Sequence, residues 1–194
     1  MTTVDTSNWR KPMITSSVQD RTRLALAALE QSVRKLSSDG QFVPKYYYQC
    51  GLLYSQMAEF DRISNQKLYK DKLLSFLQSR ENERERLNPY LRDGLTYGYA
   101  AARSYSVYKE IAFLNFAINW WNWASAWTIT DSEVISGAVA GKNLTIQTHC
   151  MNNPVAGGTF DSINPSDAIV SLIPSGYYFM YEFDQPSMHA WFFC

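Results

Sequence analysis

Residues 89–127 read PYLRDGLTYGYAAARSYSVYKEIAFLNFAINWWNWASAW, and this stretch decides the fold. Small and apolar side chains recur at nearly helical spacing in its first half, and aromatic and alanine side chains do so in its second half. These positions are Leu95, Gly98, Tyr99, Ala102, Tyr105 and Tyr108, then Phe113, Ala117, Trp120, Ala124 and Trp127. Only Lys109 and Glu110 separate the halves, which is too short for anything but an antiparallel return. The pattern therefore predicts an αα-hairpin.

The helical pattern also extends toward the N-terminus. An amphipathic helix is predicted from Ser16-Ser17 to Leu36, a second helix over 51–63, and a third helix with Asn65 as its N-cap. The third helix is predicted to turn five side chains inward: Leu68, Tyr69, Leu73, Phe76 and Leu77. The charged run at its end, residues 80–86, interleaves both signs and is interpreted as a solvated helix face.

Beyond residue 127, turn-forming residue types recur every few positions, so this part is predicted to consist mainly of loops. Thr130 and Glu133 have the spacing of a capping box for a short helix, and residues 144–148 alternate like a brief strand. We therefore expect an all-α fold in a single domain over 1–194, with helical hairpins in 17–127 and a loop-rich segment in 128–194. A chain of 194 residues that is 46% hydrophobic is long enough to bury one core.

Charge and composition exclude several classes of partner. Eighteen basic residues balance eighteen acidic residues, which argues against nucleic acid or an anionic membrane surface as the main partner. No apolar run is long enough for a membrane span, and the N-terminus has no signal-peptide pattern, which taken alone predicts a cytoplasmic protein. The triplet 143–145 is a glycosylation sequon, a weak indication of secretion. Three cysteines without metal-ligand spacing predict no metal, and no motif indicates a cofactor.

Four ordered motifs carry a resemblance to a known family. They are DGLTYGYAAARSY at 93–105, FLNFAINWWNWASAWTITDSEVISG at 113–137, AGGTF at 156–160 and SGYYF at 175–179. The stretch from about 90 to 179 resembles glycoside hydrolase family 76, the α-1,6-mannanase-like proteins, and most closely its fungal members. The resemblance implies an (α/α)6 toroid of six helical hairpins around a sugar-binding cleft, acting on mannan at the cell wall or outside the cell. Twelve helices form such a ring, so this chain is expected to supply part of one.

The resemblance also implies where the site lies. Family enzymes carry two adjacent Asp residues at the start of an inner helix, one as nucleophile and one as acid/base. These positions fall on Arg92 and Asp93, so Asp93 is the predicted catalytic carboxylate, and the missing partner predicts that the chain hydrolyses no mannan. The predicted substrate contacts are Tyr97, Trp121, Trp123, Gly157, Gly158, Thr159 and Phe160. Asp161 stands where the fungal pattern has a tryptophan.

Two interpretations remain open from the sequence. One is a protein resembling retaining endo-α-1,6-mannanases, and the other is a non-catalytic carbohydrate-binding or helical interaction protein on the same scaffold. Asp93 has an equally simple structural role as a first-turn residue that meets the helix dipole. Trp120 and Trp127 are assigned to the core. Since neighbouring helix positions diverge by about 100°, Trp121 or Trp123 is expected at the surface.

Overall fold

The computed structural model describes residues 14–43, 47–87, 91–142, 145–146, 148–150, 153–160 and 169–170. The described part is mostly helical, which confirms the all-α prediction. Its helices are α1 Val18–Val33, α2 Tyr47–Ser64, α3 Lys70–Leu87, α4 Leu91–Tyr108, α5 Ile111–Ser125 and α6 Asp131–Ser136. Two antiparallel pairs of short strands follow: β1 His149–Cys150 with β2 Asn153–Pro154, and β3 Thr159–Phe160 with β4 Ile169–Val170. Outside α6 and these strands, the described residues after 127 lie in turns, isolated bridges and loops.

The predicted hairpin is present as α4 and α5. Lys109 adopts a positive φ of 54° and ends α4, and α5 begins directly after Glu110. The rings of Tyr108 and Phe113 lie 5.5 Å apart beside this turn. On α5 the predicted apolar stripe is buried, as expected for a helix that packs one face against a core. The buried positions are Phe113, Phe116, Ala117, Trp120 and Ala124.

Helices α2 and α4 form the centre of the core and run side by side in the same direction. A Cβ atom on Gly51 would overlap the side chain of Thr96, so glycine permits the close approach near their starts. Near their ends, the Tyr108 hydroxyl donates to Asp61 Oδ2 at 2.7 Å. Because the two starts contact each other and the two ends contact each other, the helices are parallel. Helix α3 leads from the end of α2 back to the start of α4 and packs on α4 and α5.

Helix α1 is the most peripheral of the long helices. The Ser17 hydroxyl caps it by accepting from the Asp20 N–H at 3.0 Å. Val33 is its one buried residue, while Val18 and Leu24 are exposed. The helix ends at Val33, three residues before the predicted end, because the chain turns there and Leu36 forms an isolated bridge with Phe42.

The predicted start of α3 is wrong. Asn65 adopts a positive φ of 54° after the end of α2, and α3 begins at Lys70. The first turn is capped from another helix, since the Tyr69 N–H donates to Asp61 Oδ2 at 2.9 Å. Leu68 therefore precedes the helix and is exposed, which corrects its assignment to the core. The other four predicted inward side chains of this segment are buried: Tyr69, Leu73, Phe76 and Leu77.

The interpretation of residues 80–86 as a solvated helix face is wrong for Arg80. This residue is 3% exposed, and its Nη2 atom lies 3.3 Å from both the Asp39 carboxylate and the Asp39 carbonyl. The loop after α1 makes this burial possible by folding over the core. Gly40 has a φ of 80° there, and its carbonyl accepts from the Tyr54 hydroxyl at 2.7 Å. A buried guanidinium requires such partners.

A small second cluster of buried residues lies after α5 and comprises Ile129, Ile146 and Phe160. The predicted capping box is confirmed, because Thr130 and Glu133 cap each other's backbone N–H groups at the start of α6. Where a brief strand was predicted, Thr145 forms an isolated bridge with Ala138. Half-buried Trp127 contacts both this cluster and the main helical core.

Candidate functional site

The start of α4 and the end of α5 meet at one end of the hairpin, and this contact positions the predicted site. A Cβ atom on Gly94 would lie 2.5 Å from Trp120 Cζ3 and 2.7 Å from Trp123 Cζ3. Both indole rings therefore lie directly against the backbone of the first turn of α4, where a larger residue does not fit. Asp93 precedes this glycine and is half-buried. Its carbonyl accepts from the Thr96 hydroxyl at 2.7 Å.

From Gly94, the indole rings of Trp120, Trp123 and Trp127 lie one beside the next. The centroids of Trp120 and Trp123 are 5.5 Å apart in an edge-to-face arrangement, and those of Trp123 and Trp127 are 5.8 Å apart. Trp120 is buried, as predicted, while Trp123 and Trp127 are half-buried. The surface expectation for Trp123 is thus met in part, and the core assignment of Trp127 is met only in part.

The Gly157–Gly158–Thr159–Phe160 segment pairs with the chain that leaves α5. The Phe160 N–H donates to the Trp127 carbonyl at 3.3 Å, and the Ile129 N–H donates to the Gly158 carbonyl at 2.8 Å. The Gly157 N–H donates in return to the Ile129 carbonyl at 2.7 Å. The structure therefore connects this segment to Trp127, and Trp127 through Trp123 to Gly94 at the start of α4.

Two of the predicted substrate contacts lie in cores. Tyr97 is 1% exposed, and its hydroxyl lies 3.0 Å from the Gln41 Nε2 atom. Burial raises the pKa of the Tyr97 hydroxyl above its ordinary range, so the group is neutral. Phe160 is 2% exposed, with Lys142 Nζ 4.4 Å from its ring centroid. Because both rings are buried, direct contact with a substrate is not favoured for either.

Trp121 lies on a different side of α5 from Trp123. It is half-buried and about 160° around α5 from Trp123, because each residue advances the helix by about 100°. Of its neighbours one turn away, Ala117 and Ala124 are buried and Ile118 is exposed, so Trp121 lies at the edge between the core and the surface. Trp121 and Trp123 therefore cannot contribute to one flat binding surface, although the sequence assigned both to substrate binding.

Tyr48 is an exposed aromatic residue that the sequence argument did not select. It lies three residues before Gly51, as Asp93 lies three residues before Thr96, and the parallel packing places the two near the same end of the core. Tyr48 is 46% exposed. The aromatic run YYY at 46–48 was the available signal, but only the direction of α2 relative to α4 relates it to Asp93.

Among the described residues, no group of three or more His, Cys, Asp or Glu side chains is placed to hold a metal ion. The helices in this part of the chain include none with the length and apolar character that crossing a membrane requires.

Comparison with known proteins returns no match to a family model, to a curated protein or to a solved structure.

Proposed function

We propose that the surface formed by Tyr48, Asp93, Trp123 and Trp127, here called the aromatic surface, binds a mannan-type oligosaccharide. The observation that supports this most is the meeting of two half-buried indole rings with a carboxylate-bearing helix start. Ring faces take up the apolar faces of sugars, and a carboxylate accepts hydrogen bonds from sugar hydroxyls. Aromatic side chains combined with a few placed polar groups are typical of ligand sites.

The arrangement of the helices supports a hairpin-repeat scaffold. In a series of αα-hairpins every second helix runs in the same direction, and α2 and α4 do so, with α3 and α5 packed against α4. The proposed scaffold is a segment of an (α/α)6 toroid, resembling that of α-1,6-mannanase-like proteins. An extracellular or cell-wall location belongs to the same proposal.

Binding is proposed in preference to hydrolysis by the chain as it stands. Retaining hydrolysis uses two carboxyl groups about 5–5.5 Å apart, one of them as nucleophile. Position 92 holds arginine, and a guanidinium cannot attack an anomeric carbon. Asp93 precedes the glycine that contacts the tryptophans, and this position keeps hydrolysis as the second candidate. In a protein extended to the complete ring, Arg92→Asp is expected to restore the carboxylate pair and the release of mannose oligomers.

Calorimetric titration with α-1,6-mannotetraose tests the proposal, with α-1,6-linked glucotetraose as the linkage-matched control. We expect saturable binding of the mannose oligomer and no release of shorter oligomers. Trp123→Ala is expected to weaken binding roughly two- to tenfold, the value of one aromatic contact. Trp121→Ala is the matched control, because its ring lies on the other side of α5, and it should leave binding unchanged. Equal losses in both variants, or no saturable binding, would contradict the aromatic surface.

A further inference from the structure

Gly94 is buried where the start of α4 meets the end of α5. A Cβ atom placed on it would lie 2.5 Å from Trp120 Cζ3 and 2.7 Å from Trp123 Cζ3. Carbon atoms in contact are ordinarily about 3.5–4.0 Å apart, so both overlaps are severe. A methyl group at position 94 can therefore be accommodated only if an indole ring moves away from α4.

Trp120 is the ring that is held in place. It is 1% exposed, and its ring centroid lies 5.9 Å from that of Tyr97. The Tyr97 hydroxyl lies 3.0 Å from the Gln41 Nε2 atom, and both of these residues are buried as well. The helix that carries Trp120 is joined directly to the end of α4 through Lys109 and Glu110. A displaced Trp120 ring would have to move these buried groups with it.

Trp123 is the ring that has room to move. It is half-buried, so one side of it faces solvent. Its ring packs edge-to-face on Trp120 at an interplanar angle of 85°, and the ring of Trp127 packs on it at 59°. A movement of Trp123 toward solvent displaces water and gives up these ring contacts, but it leaves the core intact. A side chain at position 94 should therefore turn Trp123 outward and leave Trp127 without its neighbour.

We propose that Gly94 is a positioning residue for ligand binding, because the absence of a side chain lets the Trp123 ring lie where the aromatic surface receives a sugar. This inference rests on the proposed function. Glycine is a poor helix former, and its presence near the start of α4 is accounted for by this contact. Asp93, its neighbour in the chain, also belongs to the aromatic surface and offers a second route by which a substitution at position 94 could act.

Nuclear magnetic resonance of the isotope-labelled full chain tests the position of the ring. The indole N–H signals of Trp121, Trp123 and Trp127 are identified by replacing each tryptophan with phenylalanine in turn. In Gly94→Ala, the signals of Trp123 and Trp127 should shift, and a soluble gadolinium chelate should broaden the Trp123 signal more strongly than in the unmodified chain. The Trp121 signal should stay in place, because that ring lies on a different side of α5. An unchanged Trp123 signal overturns the proposal.

Titration with α-1,6-mannotetraose tests the consequence for binding. Gly94→Ala should weaken binding roughly two- to tenfold, as Trp123→Ala does. In the Trp123→Ala background, Gly94→Ala should cost less than about a further twofold, because the ring on which it acts is absent. A full further loss in that background would assign the effect to Asp93 and overturn the proposal. Absence of binding by the unmodified chain overturns the proposed function, whereas full binding by Gly94→Ala overturns only the role of Gly94.

Two further variants separate positioning from a general loss of stability. Leu73 is buried near the start of α3, at the opposite end of the bundle from Gly94, and Leu73→Ala should leave the Trp123 signal and binding unchanged despite its lost packing. If Gly94→Ala does not fold, it is combined with Trp120→Phe, whose smaller ring lacks the outer edge that the methyl group would meet. The Trp123 signal should then shift relative to Trp120→Phe alone, and an unshifted signal overturns the proposal.

Discussion

The α4–α5 hairpin and the segment 126–160 follow one another in the chain but are held together differently. Large side chains such as Phe113 and Trp120 fix the hairpin within a core shared by the five long helices. The following segment depends on backbone hydrogen bonds around Ile129 and on a cluster of three buried side chains. Loss of packing in the hairpin should therefore lower the stability of the whole molecule, whereas loss of packing in the segment should affect only local unfolding.

The largest effect is expected from Trp120→Ala. This buried ring contacts Tyr97 and Trp123, and its removal leaves a cavity between α4 and α5. Truncation of a core aromatic typically costs about 3–5 kcal/mol of unfolding free energy. Urea unfolding followed by far-ultraviolet circular dichroism measures this loss. Ile118→Ala on the exposed flank of the same helix is the control, with an expected cost below about 1 kcal/mol. Similar costs in the two variants would show that the loss does not come from the buried packing of Trp120.

Phe160→Ala should produce a smaller effect on the whole molecule. The ring packs with Ile129 and Ile146, so its loss opens the second cluster but not the helical core. Hydrogen exchange should accelerate at the Ile129 and Phe160 amides, while amides in α2 and α4 keep their protection. The global unfolding free energy is expected to fall by less than about 1 kcal/mol. Most of the lost packing lowers the free energy of local opening of the segment instead. A drop as large as that of Trp120→Ala would show that both clusters unfold as one unit.

The smallest effect concerns the capping box of α6, within the weaker region. Hydrogen bonds from the Thr130 backbone and hydroxyl lower the pKa of Glu133, with a further contribution from the Ala140 N–H. A lowered pKa in the folded state means that the stabilisation is present above the ordinary glutamate pKa and is lost as pH falls through the lowered value. The loss is at most about 0.5 kcal/mol because the carboxylate is near solvent.

Hydrogen exchange at the Val134 amide, whose N–H donates to the Thr130 carbonyl, reports this local change. Glu133→Gln is the matched control, since glutamine can still close a capping box but does not titrate. In that variant the acid-dependent loss of protection should disappear. Its persistence would assign the pH dependence to another group.

Periodicity predicted the features that depend on neighbouring residues alone. The α4–α5 hairpin, the buried stripe of α5 and the Thr130 cap all follow from spacings of three or four residues. Asn65 misled the prediction because a residue that suits an N-cap also suits the left-handed position that ends a helix. Arg80 misled it because its partner, Asp39, lies 41 residues away in a loop.

The candidate site likewise has residues that the sequence identified and residues that it did not. The resemblance selected Asp93 and Trp123, which the structure places on adjoining helix ends. It could not distinguish Trp123 from Trp121, because this requires knowing which side of α5 packs on Gly94. Tyr48 could be related to the site only once the direction of α2 relative to α4 was known. Contacts between distant parts of the chain have no signature in local spacing, and residues of this kind are therefore missed.

Asp61 has a consequence for the cooperativity of unfolding. One oxygen of this 1% exposed carboxylate accepts from the N–H that opens α3 and from the hydroxyl that closes α4, and the carboxylate itself belongs to α2. If the first turn of α3 frays, a buried carboxyl oxygen loses a donor that water does not readily replace. The same loss follows if the end of α4 withdraws. Three helix termini are therefore released together, and this end of the bundle is expected to open in a single step.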